Sequence, residues 1–137
     1  MRSIFMAFCC FLSLITTIAN ANQSTKTEAT RENLLEDAVI DLLQPQMYEA
    51  VKDYYGTTKE IGFMCLNVID IKKLEHPGSW YFETILEGVT YTGPHTPMDI
   101  FTVTVEKMDA TKGIWEMKDY KVGKFIPEEK HECRDPA

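Results

Sequence analysis

Histidine and cysteine are scarce in this chain. Its 137 residues hold three His and four Cys. There is no Gly-rich phosphate loop, no nucleophile motif and no Ser/His/Asp arrangement, so nothing in the sequence points to nucleotide binding or to covalent hydrolysis. No set of ligands has the spacing of a structural metal site, which requires four. Basic residues are outnumbered, with 14 Lys and Arg against 21 Asp and Glu and a net charge of −7. Nucleic acid and anionic lipid surfaces call for a basic patch, so both are set aside as partners. Internal repeats are absent. No cofactor is expected.

What is present begins at the N-terminus. Arg2 precedes an apolar run from Ile4 to Ile18, interrupted only by Ser13, Thr16 and Thr17. Ala19-Asn20-Ala21 follows, the small-x-small pattern of a signal peptidase site. The run falls short of the roughly 20 apolar residues of a membrane span. Residues 1–21 are therefore expected to be a signal peptide, with no stable membrane insertion after cleavage. The mature chain would be secreted or held in the cell envelope. Cleavage would leave 116 of the 137 residues and, with Arg2 gone, a net charge of −8. That length suits one domain.

Residues 22–29 are polar and read as a flexible leader. Thr30 is a helix N-cap. Leu34, Leu35, Ala38, Val39, Leu42 and Leu43 then form an apolar stripe, with Glu36, Asp37 and Asp41 off it on a solvated acidic face. Pro45 ends this helix and opens a second. The second carries Met47, Tyr48, Val51, Tyr54 and Tyr55 and closes at Gly56. Four strands follow over 63–74, 80–92, 100–107 and 114–122, with turns at 76–79 and 109–113. The expected class is α+β: two helices on one face of a curved four-stranded antiparallel meander, a single domain over 30–123. Residues 124–137 are charged and Pro-containing and read as a flexible tail.

Of the four cysteines, only Cys65 and Cys133 would survive cleavage. A bond between them would close a long loop and contribute about 4 kcal/mol in the chain-entropy model. The opposing reading leaves Cys65 as a buried thiol and Cys133 free in the tail. The pairing stays open, with the unpaired form preferred because the tail looks mobile. His131 and Cys133 together fall short of a zinc ligand set, so a solvated tail is preferred there too.

Leu35-Glu36-Asp37-Ala38-Val39-Ile40-Asp41-Leu42-Leu43, Asp53-Tyr54-Tyr55-Gly56 and Tyr91-Thr92-Gly93-Pro94-His95-Thr96-Pro97 resemble a family of small exported bacterial proteins. That family is the domain of unknown function DUF3888. The resemblance spans roughly 34–122. It implies an extracytoplasmic bacterial location and carries no activity or catalytic residue. The helix-then-meander order is also similar to cystatin-like and nuclear-transport-factor-like architecture, a fold analogy alone.

The best candidate ligand-binding residues are His95 and Tyr91 at the Pro-stiffened loop, and Tyr54 and Tyr55 at the helix end. The structural alternative makes His95 a turn residue and the tyrosines core. The leading functional reading is a non-catalytic binding module with an envelope or extracellular ligand or protein as partner. The alternative is a small hydrolase- or isomerase-like enzyme with His95 as general base in a helix–sheet pocket, oriented by Asp37 or Asp53.

Overall fold

The computed structural model describes residues 27–129, 131 and 133–137. The expected signal peptide lies outside the described residues. The element order is α1 (Arg31–Tyr55), β1 (Ile61–Lys73), β2 (Phe82–Thr92), β3 (Thr96–Lys107) and β4 (Glu116–Lys124). The strands pair in the order β1-β2-β3-β4, all antiparallel, as one open sheet. The α+β class and the four-strand meander stand. No helix among the described residues is long and apolar enough to cross a membrane.

The helical region departs from expectation. One helix replaces two, and Pro45 lies inside it. The caps are local and behave as read. The Thr30 hydroxyl accepts from the Asn33 N–H at 3.2 Å, and Gly56 takes φ of 75° while its N–H donates to the Lys52 carbonyl. At Pro45 the chain loses one helical donor and gains a ring clash, a cost of about 3 kcal/mol. Burial on both sides outweighs it. Leu43, Met47, Ala50 and Val51 are at most 1% exposed and recur along one helix face across the proline. Each large side chain fully buried contributes roughly 1.5–3 kcal/mol. Gln46, next to the proline, also donates from its side-chain amide to the Trp115 carbonyl at 3.1 Å.

The buried stripe itself is also displaced from the expected one. Leu34, Leu35 and Leu42 are about half exposed, and the contacts with the sheet are made through Val39, Ile40 and Leu43. The sheet contributes Leu86 from β2 and Phe101, Val103 and Val105 from β3. A helix resting on a flat surface needs only a narrow stripe. Leucines one position to either side of it gain nothing from a single sheet and stay wet. The opposite face of the sheet carries a charge ladder. Glu83 pairs with Lys72 at 2.7 Å and with Lys118 at 3.1 Å, and Lys118 reaches Glu106 at 2.8 Å.

Four register shifts interrupt the ladders, among them one between Met64 and Asn67 on β1 and one opposite Thr90 on β3. Each adds a residue to one strand and re-aims the side chains there.

The helix account predicts the sign of one substitution. Pro45→Ala restores a backbone donor and removes the ring clash, against a loss of about 0.4–1 kcal/mol from the freer unfolded chain. Denaturant unfolding should show a net gain of about 2 kcal/mol. A loss would mean that the packing needs the bend proline imposes.

Candidate functional site: a cleft closed by the C-terminal segment

A half-open cleft of about 410 Å³ lies between α1, β1 and the C-terminal segment. The helix contributes Asp37, Ile40, Asp41 and Gln44. The strand contributes 63–66, and Arg134, Asp135 and Pro136 form the third wall. Ile40, Phe63, Met64 and Leu66 give it an apolar lining, with carboxylates and the Gln44 amide among them. Small-ligand sites combine these two features.

The third wall is present because the tail is tied down, contrary to the flexible tail expected for 124–137. Cys133 is disulfide-bonded to Cys65, 68 residues away. The preference for unpaired cysteines is thereby corrected. The β1 bulge supplies the local cause. Cys65 sits there with φ of 55°, a left-handed conformation uncommon for a side-chain-bearing residue. This turns it out of the regular strand alternation. The Asn67 amide donates to the Cys65 carbonyl at 3.2 Å within the same bulge. Across the ladder, a Cβ at Gly88 would meet Leu66 at 2.7 Å and Phe63 at 3.0 Å, so these two cleft residues settle where Gly88 has no side chain.

Arg134 completes the closure. Its guanidinium reaches Glu36 through Nε at 3.1 Å and donates from Nη1 to Asp37 at 2.6 Å and from Nη2 to the Asn33 carbonyl at 2.9 Å. The Ala137 N–H donates to the second Asp37 oxygen at 2.8 Å. Glu36 also accepts from the Val68 N–H at 3.1 Å, capping a donor of β1. The Ala137 N–H and then the Arg134 guanidinium hold the Asp37 carboxyl below its ordinary value. The expected solvated acidic face is thus a docking site for the chain's own C-terminus.

The predicted site residues lie elsewhere in the fold. His95 is the last residue of the three-residue turn joining β2 to β3, with φ of 62° and its N–H donating to the Gly93 carbonyl at 2.9 Å. Its ring lies 4.7 Å from that of Tyr91. Tyr91 in turn covers Gly62, where a Cβ would fall 2.5 Å from the ring. Tyr54 and Tyr55 pack edge to face with each other and against Phe101. None of His95, Tyr91, Tyr54 and Tyr55 lines the cleft. Asp37 does, but it is held by Arg134 and Ala137, and Asp53 accepts from the Tyr120 hydroxyl at 2.7 Å. The two acids are separated by about 24 Å of helix rise, so one imidazole cannot serve both.

At the C-terminal end of α1 a second polar cluster forms, in the β3 bulge. Thr90 is fully buried, and its hydroxyl bonds both the N–H and the carbonyl of Asp99, at 3.2 and 3.0 Å. The Tyr55 hydroxyl donates to the Asp99 carboxylate at 2.5 Å, and Lys124 pairs with it at 3.0 Å. Burial acts to raise the Asp99 carboxyl, but the Tyr55 hydroxyl and Lys124 outweigh it and hold the group low. Burial first, and then the Asp99 acceptor, push the Tyr55 phenol up to about 12.

These residues lie within a span that a known family covers. The sequence pattern of a family described as a protein of unknown function, DUF3888, matches residues 35–123. The chain belongs to the DUF3888 family. No curated protein and no solved structure matches it, so the cystatin-like and nuclear-transport-factor-like analogies gain no support. In this DUF3888 chain the matched span contains the helix and strand walls of the cleft, Cys65 included. Cys133 and Arg134 lie beyond it. Sequence reasoning missed the cleft because its third wall is about a hundred residues from the first. The one available signal was the pair of cysteines.

Two predictions arise from these clusters. The first concerns pH. Asp37, Asp99 and Glu83 are depressed in the folded state, Glu83 by Lys72 and Lys118. Their contribution is present above the ordinary carboxylate range and is lost as pH falls through and below about 4. Tyr55 is raised, so its contribution is present below about 10 and is lost as pH climbs toward about 12. Thermal melts across pH should decline on both limbs, and ultraviolet titration should show one tyrosine ionising near 12 that Tyr55→Phe removes. The second prediction concerns the disulfide. Its reduction should lower stability by about 4 kcal/mol, the loop-entropy value for this separation. Unfolding curves with and without reductant measure it.

Proposed function

We propose that this DUF3888 chain is a non-catalytic binding module acting outside the cytoplasm, in the bacterial cell envelope or secreted from it. Its ligand would sit in the cleft between α1, β1 and the C-terminal segment. The observation that carries this reading is the construction of the third wall. A covalent bond, an ion pair from Arg134 to Glu36 and guanidinium hydrogen bonds to Asp37 and the Asn33 carbonyl hold 133–137 in place, and the product of that anchoring is a preformed cavity. Preformed concave sites with an apolar lining and a few polar groups are the usual form of small-ligand sites. A disulfide between distant residues suits an oxidising compartment, in keeping with the N-terminal sequence pattern.

The lining indicates the ligand class. Ile40, Phe63 and Leu66 offer apolar surface, and Asp41 and Gln44 stand beside them. Arg134 is committed to Glu36, Asp37 and Asn33. An amphipathic molecule with an apolar body and a cationic or hydrogen-bond-donating group fits this arrangement. An amine-bearing wall fragment or a basic peptide side chain are two examples.

A thermal-shift screen tests the reading, with cationic amphiphiles and wall fragments run against wild type and Ile40→Trp, which fills the cleft. A ligand at about 100 times its Kd should add about 2.7 kcal/mol. The shift should vanish in Ile40→Trp and weaken in Asp41→Asn. A shift that survives cleft filling would move the site elsewhere, with the Tyr91–His95 turn the next surface to test.

A further inference from the structure

Cys65 and Cys133 do not stand alone. A ring nitrogen of His131 joins their two sulfurs, and all three donor atoms lie within 4.8 Å of one another. His131 Nε2 is buried and has no hydrogen-bond partner. A buried imidazole nitrogen left unbonded forfeits a hydrogen bond that almost every buried polar atom makes, and a neutral imidazole nitrogen is a common metal ligand. The Phe125 ring stands edge-on to His131 at 6.0 Å.

We infer that the reduced chain holds a zinc ion between Cys65, Cys133 and His131. The disulfide is the locked form of the same site. The step balances with a dithiol reductant. The Cys65–Cys133 bond takes up two electrons and two protons and becomes two thiols, while the reductant closes to its own disulfide. Zn²⁺ then displaces both thiol protons to solvent, and two thiolates and one neutral imidazole become ligands. Once the bond is cut, the sulfurs separate toward van der Waals contact. At Zn–S distances of about 2.3 Å, tetrahedral geometry places two sulfur ligands roughly 3.8 Å apart. The three donors lie close enough to reach such an arrangement with local adjustment. Two soft thiolates and an imidazole favour zinc over magnesium or calcium, which take oxygen ligands. Three protein ligands leave the fourth position open to water.

The fold supports the assignment on both sides of the site. Cys65 is placed by the bulge of a four-stranded sheet and does not depend on the tail for its position. Cys133 is exposed, so a reductant can reach the bond. Arg134 keeps the tail on α1 through bonds that reduction does not touch. The donors therefore stay together in the reduced state. In the oxidised state the sulfurs are bonded to each other and cannot bind as thiolates, so metal occupancy would report the thiol state. This inference is independent of any ligand in the cleft.

The test uses the purified protein with Co²⁺ as a spectroscopic probe and Zn²⁺ as competitor. The reduced protein should take up one Co²⁺ with thiolate-to-metal charge-transfer absorption, and Zn²⁺ should bleach it. The oxidised protein should show neither. Cys65→Ser should abolish the band, and His131→Ala should weaken binding at least about tenfold. A reduced protein without the band, or a His131→Ala variant that binds as tightly as wild type, overturns the assignment. Far-ultraviolet circular dichroism covers the case in which reduction unfolds the chain. One equivalent of Zn²⁺ should then restore the native spectrum, since binding energy becomes folding energy. Failure to restore it also overturns the site.

Discussion

The packing of α1 across Pro45 sets the position of nearly everything else. A helix that stopped at the proline would leave Leu43 on one rigid piece and Met47, Ala50 and Val51 on another. Held as one rod, the helix buries all four against Leu86, Phe101, Val103 and Val105. The energetic comparison is direct. About 3 kcal/mol is lost at the proline, and burial of several large side chains at roughly 1.5–3 kcal/mol each exceeds it. The same rod carries the Asp37 and Asp41 side of the cleft near one end and Tyr55 at the other. A break at Pro45 would uncouple the two ends.

Each end then holds a charged cluster whose cost is offset by ion pairs and hydrogen bonds. Asp99 is nearly buried, a position that is unfavourable for an isolated carboxylate. Tyr55, Thr90 and Lys124 make it tolerable, and the β3 bulge provides the space. At the other end Glu36 and Asp37 face one guanidinium and two backbone donors. Bulges bring the sheet to both clusters. One turns Cys65 toward the tail, and the other lets the Thr90 hydroxyl bridge the widened ladder.

The C-terminal segment links the fold to the chemistry of the cleft. Its charges, read along the chain, suggest solvent. Read in space, they are complementary to the helix. The disulfide limits how far the segment can stray, and Arg134 sets where it lands. A tail with few apolar residues becomes a cavity wall by covalent and ionic means, and its His131 is brought to the two sulfurs.

The features determined by the sequence alone are those with short-range causes. Thr30 and Gly56 mark the helix ends because capping involves residues three or four apart. The strand alternation of Phe101, Val103 and Val105 places them inward because a strand has period two. The meander follows from turns between successive strands. Pro45 was misread because the local rule is sound and only a surface on which both halves pack can override it. Leu34, Leu35 and Leu42 were misread because periodicity marks an apolar stripe but not how wide a face the sheet covers. The cleft, the Cys65–Cys133 bond and the Arg134 clamp were decided by tertiary structure. Their partners are 68 to 101 residues apart, and no spacing rule acts over such a distance. Only the folded sheet and helix bring those groups within bonding reach.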